Sequence, residues 1–426
     1  MTIRRLLTHL PLFVLALMPT TPTTPLLAQA TPAPSPLVGR IGDRGFLQVE
    51  SPSFARLPPR QQLLAYHLSR AAIQLDPVFY DQMSSYGLTA KRLLGALAEK
   101  PERLPAGTRQ AIVEYAQLFF GNGGNHDETT GLKFLPRLSF EEFAAAAEQA
   151  RQKGARLGTR EALGRTLQGL RQPLFDPRFE VKLTEKNPPA GKDILTASSN
   201  NYYQGVTLAE ASAFAEKHPL DSRLVKQDGK LVEEVYRAGT PDGRVPPGLY
   251  ARELAAVDRE LEAAAGYADP EQAKVLRALV RFYQTGDLKD WHDFNVLWIK
   301  NDATVDFASG FIEVYRDARG AKGSAQMLVA VVDQTLQPLM QKLAANAVDF
   351  ERKAPWDERY KKLDVKPPVG KAIETIVTSG DFHVTTIGDN LPNEQDIRET
   401  YGTKSLFLTS SINAFNATRG AKVAIE

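Results

Sequence analysis

The chain has 426 residues, 52 Lys and Arg against 50 Asp and Glu, 43% apolar and 24% charged residues, and no cysteine. That length supports more than one core, and the composition is that of a folded protein rather than a disordered one. Near-neutral charge argues against general nucleic-acid binding, and the lack of cysteine excludes disulfides, thiolate catalysis and cysteine-ligated zinc.

In chain order, residues 1–30 read as a signal peptide. Arg4 and Arg5 start it, the apolar run 10–18 is too short to span a bilayer, and Ala28-Gln29-Ala30 has the small-x-small pattern of a cleavage site. The implied protein is exported, periplasmic or secreted after cleavage near Ala30, with no stable membrane anchor. The arginine pair keeps the twin-arginine route open beside the general one. Residues 31–36 alternate with proline and read as an extended leader.

Pro58 and Pro59 open a helix in which Leu64, Leu68, Ala71 and Leu75 recur at three- and four-residue steps, and Asp76-Pro77 should stop it. Further helical stretches fall at about 107–120, 139–153, 207–217, 251–264 and 270–284. The strongest predicted helix is 324–350, where Leu328, Val332, Leu336, Leu339 and Leu343 form one stripe and Pro338 should kink it. Strands are expected at 230–236, after an Asp-Gly turn, and at 310–315. A hairpin is expected from 373–378 and 382–387 around Ser379-Gly380-Asp381.

Common catalytic signatures are missing. The histidines are His9, His67, His126, His218, His292 and His383, and no two lie three or four residues apart, so no helix presents a paired-histidine metal site. Gly121-Asn-Gly-Gly-Asn125 lacks both Walker and Rossmann spacing and reads as a tight turn after a helix. His126-Asp127-Glu128 reads as a polar loop tip before a cation site, and His67 as a packed histidine. Trp291-His292-Asp293 holds the atoms of a relay but has no nucleophile nearby in sequence.

Five blocks stand in order along the chain. The first three are Leu57-Pro-Pro-Arg-Gln-Gln with Tyr66-His-Leu-Ser-Arg-Ala-Ala72, then Tyr115 through Asn125 to Lys133-Phe-Leu-Pro136, and Asn200-Asn-Tyr-Tyr-Gln-Gly205. The fourth runs from Trp298-Ile-Lys-Asn-Asp302 through Val305-Asp306 to Gly310-Phe-Ile-Glu-Val-Tyr-Arg-Asp317. The fifth is Asn390-Leu-Pro-Asn393 followed by Asp396 and Arg398. In that order they resemble the dipeptidyl peptidase III family of zinc exopeptidases.

The resemblance implies an α+β fold, mainly helical and two-lobed, with a small β-barrel or sheet in the lower lobe and the zinc in the upper. Mapped by order, the lower lobe takes 37–326 and 374–419, while 327–373 and 420–426 are part of an upper helical lobe that is largely missing. The implied ligand is an oligopeptide lying as an added strand just before Asn390. Asn390 and Asn393 would hold its backbone, Asp306 would pair with its free ammonium, and Asn125, Asp396 and Arg398 would complete the substrate-binding set. Two features depart from the family. Ala308 occupies the place of a tyrosine that reaches the reacting carbonyl. The zinc helix His-Glu-x-x-Gly-His and the following Glu-Glu-x-x-Ala motif do not occur before Glu426. Glu233-Glu234 mimics the latter only in part.

This chain is therefore expected to carry no catalytic residue and no metal ligand of its own, the family's zinc belonging to the complete enzyme. The first reading is the substrate-binding part of a dipeptidyl peptidase III-like enzyme, its zinc-carrying carboxy-terminal half truncated or separately encoded. The second is a non-catalytic exported peptide-binding protein, and the third a helical scaffold alike in fold only.

Overall fold

The computed structural model describes residues 35–364, 367, 369–382 and 386–423, with side chains to 418. The signal peptide, nearly all of the leader, His383 and residues 424–426 lie outside the described residues. Pro36–Glu426 folds as one unit.

A two-stranded ribbon, β1 (Leu37–Ile41) and β2 (Arg44–Leu47), leads into the one-turn helix α1 (Pro52–Arg56) and the long helix α2 (Pro59–Met83). Pro59 stands at the first position of α2, where its missing N–H leaves no bond unmade. The predicted stripe Leu64, Leu68, Ala71 and Leu75 is buried. The predicted stop at Asp76-Pro77 does not occur. Val78, Phe79, Tyr80 and Met83 beyond it are all buried. Burying such side chains, at roughly 1.5–3 kcal/mol each, outweighs the roughly 3 kcal/mol of an interior proline.

Then come α3 (Gly87–Ala98), α4 (Ala106–Asn122), α5 (Phe140–Gln152), α6 (Arg160–Phe175) and α7 (Ile194–Ala197). α4 ends on Gly123 at φ 66°, a left-handed cap within the glycine-rich turn expected after a helix there. α5 starts on a Ser139–Glu142 capping box. After β3 (Tyr203–Gln204) and α8 (Leu208–Ala213), shorter than the stretch expected there, β4 (Ser222–Gln227) and β5 (Lys230–Val235) form the hairpin that the Asp-Gly turn announces. Asp228 and Gly229 both take positive φ, as a two-residue hairpin turn demands. α9 (Ala251–Tyr267), α10 (Pro270–Thr285) and α11 (Leu288–Lys300) complete the helical part. No helix among the described residues is long and apolar enough to cross a membrane.

The remainder is β6 (Val305–Phe311), β7 (Ala325–Val332), α12 (Gln337–Ala345), α13 (Ala347–Lys353), β8 (Val369–Gly380), β9 (Gly388–Leu391), α14 (Gln395–Tyr401), β10 (Lys404–Leu408) and α15 (Thr409–Val423). Five of these strands form a curled half-barrel in the order β6-β7-β8-β10-β9, antiparallel except for β8 beside β10. One core joins α2, α9, α10 and α11 to this sheet, and a second joins α3 to α6.

Four expectations change here. The first half of the predicted helix 324–350 is β7, whose eight residues are all buried. A strand covered on both faces loses its alternation, and a short apolar run then also fits a helical stripe. Pro338 lies in the first turn of α12 and kinks nothing. The strand expected at 310–315 runs instead over β6. Of the expected hairpin's second arm, residues 383–385 lie outside the described residues; among the described residues β8 pairs with β7 and β10, and the next strand is β9, against β10. β7 and β8 both belong to the sheet, and the described residues between them, 333–364 and 367, lie outside it.

Candidate functional site

β9 is an edge strand. One side pairs with β10, Asn390 opposite Ser405 and Asp389 opposite Leu406, and among the described residues its other side has no strand beside it. Register sends Asp389 and Leu391 inward with Leu406 and Lys404, and Asn390 outward, where it is exposed. Unpaired backbone groups along such an edge are a template for one more strand.

The turn after β9 is held by its own helix. Arg398 on α14 donates to the carbonyls of Pro392, at 3.1 Å, and Asn390, at 3.4 Å. Asn393 donates its amide to Glu313 at 3.4 Å, reaching across to the end of β6. Asp396 lies 3.2 Å from His292 Nε2 on α11. Four expected residues, Asn390, Asn393, Asp396 and Arg398, thus share one corner of the sheet. α11 lies between the two edge strands: Trp291, Phe294 and Trp298 face Ala308, Leu391 and Pro392 across a narrow, largely filled crevice. The Trp298 indole donates to Phe307 O at 2.5 Å, and that of Trp291 to Glu394. Ala308 therefore forms part of an apolar wall.

Asn125 is not at this corner. It is 1% exposed beside the α3–α6 core, its amide accepting from Tyr86 and donating to Pro173 O, each at 3.2 Å. An amide with both ends used inside the chain is not offered to a ligand.

Asp306 stands elsewhere in the sheet, on β6. It is buried, 2.9 Å from Lys371 Nζ on β8 and 3.0 Å from Lys404 Nζ on β10, and it accepts from Phe307 N at 2.9 Å. Burial alone would push its pKa up; Lys404 and Lys371 more than offset this and hold it below the ordinary carboxylate value. Lys404 is lowered by burial. A peptide ammonium would have to displace a lysine to reach this carboxylate. Instead the charge cluster ties β6 to β8 and β10 across the concave face, and Lys371 and Lys404 also hold the carbonyls of Ala303 and Asn301, each at 3.0 Å.

The histidines are engaged separately. His67 lies 2.9 Å from Glu260 and stacks on Tyr267. His126 meets Glu180 O at 2.8 Å and Ser199 at 3.1 Å, and burial pushes its pKa down to about 4. His218 faces Gly286 O at 2.8 Å. His126-Asp127-Glu128 is no loop tip: His126 and Asp127 are buried, Asp127 lies 2.5 Å from Arg44, and Glu128 pairs with Arg316. Among the described residues, no three His, Asp or Glu side chains form a set of metal ligands, so the residues described here do not fit a zinc ion.

Sequence reasoning missed the acidic groups beside Asn390. Glu313 is raised by burial, and Asp389 is pushed up to about 7, first by burial and then by Glu313. Glu313 stands inside the fourth block and Asp389 just before the fifth, but nothing in the sequence brings β6 to β9.

This α+β fold is similar to that of two solved structures. The structure of DPP III from Caldithrix abyssi superposes with a TM-score of 0.57 at 20% identity, covering 84% of this chain and 56% of that one. Dipeptidyl-peptidase III from Corallococcus sp. strain EGB gives 0.57 at 19%, covering 83% and 55%. Residues 199–424 match the model of peptidase family M49, and the chain belongs to that family. Dipeptidyl peptidase 3 of Homo sapiens is 26% identical over 410 residues, 87% of this chain and 55% of that protein. Its namesake in Dictyostelium discoideum is 25% identical over 401 residues, 85% and 54%. The chain spans about half the length of the curated relatives it matches.

Proposed function

We propose that this chain is the peptide-binding part of a dipeptidyl peptidase III-like enzyme, exported and inactive alone. The observation that carries the reading is the open edge of β9, with Arg398 holding the carbonyls of Asn390 and Pro392 and Asn393 placed at the turn. An oligopeptide adds to that edge through its backbone, which every sequence presents alike, and Asn390 and Asn393 supply amide partners. Asp306 holds the sheet curled and does not touch the peptide. The hydrolytic step belongs to a zinc-carrying carboxy-terminal half, continuous with this chain in a longer protein or separately encoded. Segment 337–363 supports a partner of that kind: α12 and α13 bury no residue, and Leu339, Leu343, Phe350, Trp356 and Tyr360 are exposed.

The test is calorimetry of short peptides with residues 31–426, alongside release of dipeptides from a dipeptidyl-naphthylamide. Peptides bind, Asn393→Ala weakens them, and no dipeptide is released until a half carrying His-Glu-x-x-Gly-His is co-expressed. Zinc-dependent turnover by the chain alone would overturn the reading. Binding without rescue by any such half would favour an exported peptide-binding protein.

A further inference from the structure

A hollow of about 310 Å³ opens where β7 runs out of the sheet, between the turn joining α1 to α2 and the start of the segment that follows Val332. It lies on the other face of the sheet from Asp306. Val331 in its wall stands opposite Glu374, and Asp306 is the register partner of the preceding residue, Ala330. Successive residues of a strand point to opposite faces. Four side chains around the hollow carry hydrogen-bond donors: Arg56, Gln61, Thr304 and Gln334. Arg56 is held in place, since its Nη2 donates to Ser53 Oγ at 2.6 Å and Ser53 donates in turn to the buried Glu374 at 2.8 Å. Among the described residues, nothing else engages its guanidinium, the side-chain amides of Gln61 and Gln334 or the Thr304 hydroxyl, and no carboxylate pairs with Arg56. Leu57, Val331 and Val332 supply an apolar wall, and no lining residue is acidic.

We propose that this hollow binds a small organic carboxylate, with Arg56 as its charge partner, Gln61, Thr304 and Gln334 as donors to its oxygens, and the apolar wall against its hydrocarbon part. The site goes beyond the peptide-binding reading and does not depend on it. Its volume stands at the small end of ligand pockets, which are mainly apolar with a few converging polar groups. A carboxylate is the anion that fits, because the guanidinium fork matches its two oxygens and its apolar body suits the wall. The second charge of a phosphate would meet no second cation here. Position gives the binding a consequence. Gln334 directly follows Asp333, whose side chain accepts from the N–H groups of Thr335 and Leu336 and whose own N–H reaches Ala372 O. An acid held by both Arg56 and Gln334 ties the α1–α2 turn to the first residues of the segment that carries α12 and α13.

The experiment is a nuclear magnetic resonance titration of the full chain with propionate, with n-propylammonium and inorganic phosphate as contrasting probes. Propionate binds at roughly millimolar strength, as so small a ligand should, and the other two bind at least about tenfold more weakly. Arg56→Gln weakens propionate at least about tenfold, through the loss of one charged hydrogen-bonding partner. Gln334→Leu leaves the Arg56–Ser53 contact untouched and weakens propionate about threefold or more, so the test does not hang on one variant. A measurement without any variant is amide hydrogen exchange: propionate slows it at Thr335 and Leu336, and phosphate at the same concentration does not. Propionate that fails to bind, or that binds the Arg56→Gln chain as tightly as the wild type, overturns the site. Binding with no slowing at those two amides overturns the tie to the segment after Val332. Phosphate or propylammonium binding as tightly as propionate overturns the assignment of the ligand as a carboxylate.

Discussion

Asp306→Asn keeps the shape of the side chain and removes the charge between two buried lysines. Asp306 is 4% exposed, Lys371 1% and Lys404 0%. Breaking a buried ion cluster by removing one partner costs about 3–5 kcal/mol, most of it the burden of the charge left behind. Lys371 retains Asp302 at 3.0 Å, although that carboxylate is 85% exposed and screened. Lys404 retains Asn301 O at 3.0 Å and the Trp298 ring at 4.1 Å, contacts that polarise without neutralising. The loss therefore falls near the lower bound, about 3 kcal/mol. With roughly 2.1 cal/mol/K of unfolding entropy per residue, a chain of this size converts that to a fall of about 4 °C in Tm. Thermal and urea melts at pH 7 read it directly. Raising the pH should narrow the deficit as Lys404 discharges. Replacing the cluster together, by Asp306→Leu, Lys371→Met and Lys404→Met, should recover most of the loss, since an apolar cluster of similar volume leaves no charge stranded. An Asp306→Asn variant melting within about 1 °C of the wild type would refute the reasoning.

Asp389→Asn should stabilise the chain: the folded pKa, about 7, lies above the ordinary 3.8, so the cost of its charge grows from about pH 4 and is complete above pH 7. The gain at pH 8 is on the order of 2–3 kcal/mol, and no gain in urea midpoint would count against the crowding of Glu313 and Asp389. His126 behaves oppositely. Its folded pKa of about 4 lies below the ordinary 6.5, so its contribution is fully present above pH 6.5 and is lost as pH falls through 4, by about 3 kcal/mol at most. His126→Gln should flatten that acid slope, and parallel stability curves for the two proteins would contradict it. Gly380→Ala should cost at least about 2 kcal/mol, because φ is 64° and a Cβ would run into the carbonyl oxygen of Ala325; an unchanged urea midpoint would show that β7 and β8 do not meet as described.

What the sequence reveals here is whatever is encoded locally. α5, α10 and the β4–β5 hairpin are marked by Ser139 with Glu142, by Asp269-Pro270 with Gly286, and by Asp228-Gly229, each within a few residues of the element it bounds. The corner built from Asn390, Asn393, Asp396 and Arg398 is legible for the same reason, since one turn and one short helix carry it. β7 is illegible because burial on both faces erases its alternation. Asp306 misleads because Lys371 and Lys404 stand 65 and 98 residues away, and only the curl of the sheet brings them to it. Glu313 and Asn393 are 80 residues apart, so their meeting is likewise a product of topology.

Neighbouring antiparallel strands are usually joined by a few residues, yet β7 and β8 are joined by about 36, from Asp333 onward. Asp333 closes that long path by accepting from the N–H groups of Thr335 and Leu336 through its side chain, while its own N–H reaches Ala372 O at 2.8 Å. The excursion thus leaves and returns at nearly one point, with Val332 facing Ile373. Closing 36 residues rather than four costs only about 2 kcal/mol of chain entropy, because the penalty grows with the logarithm of length. The sheet is thus nearly indifferent to what hangs from this junction. A short linker grafted between Asp333 and Val369 keeps all of β8 and should leave the β9 edge folded, so that edge and the exposed helices can gain or lose sequence independently of one another.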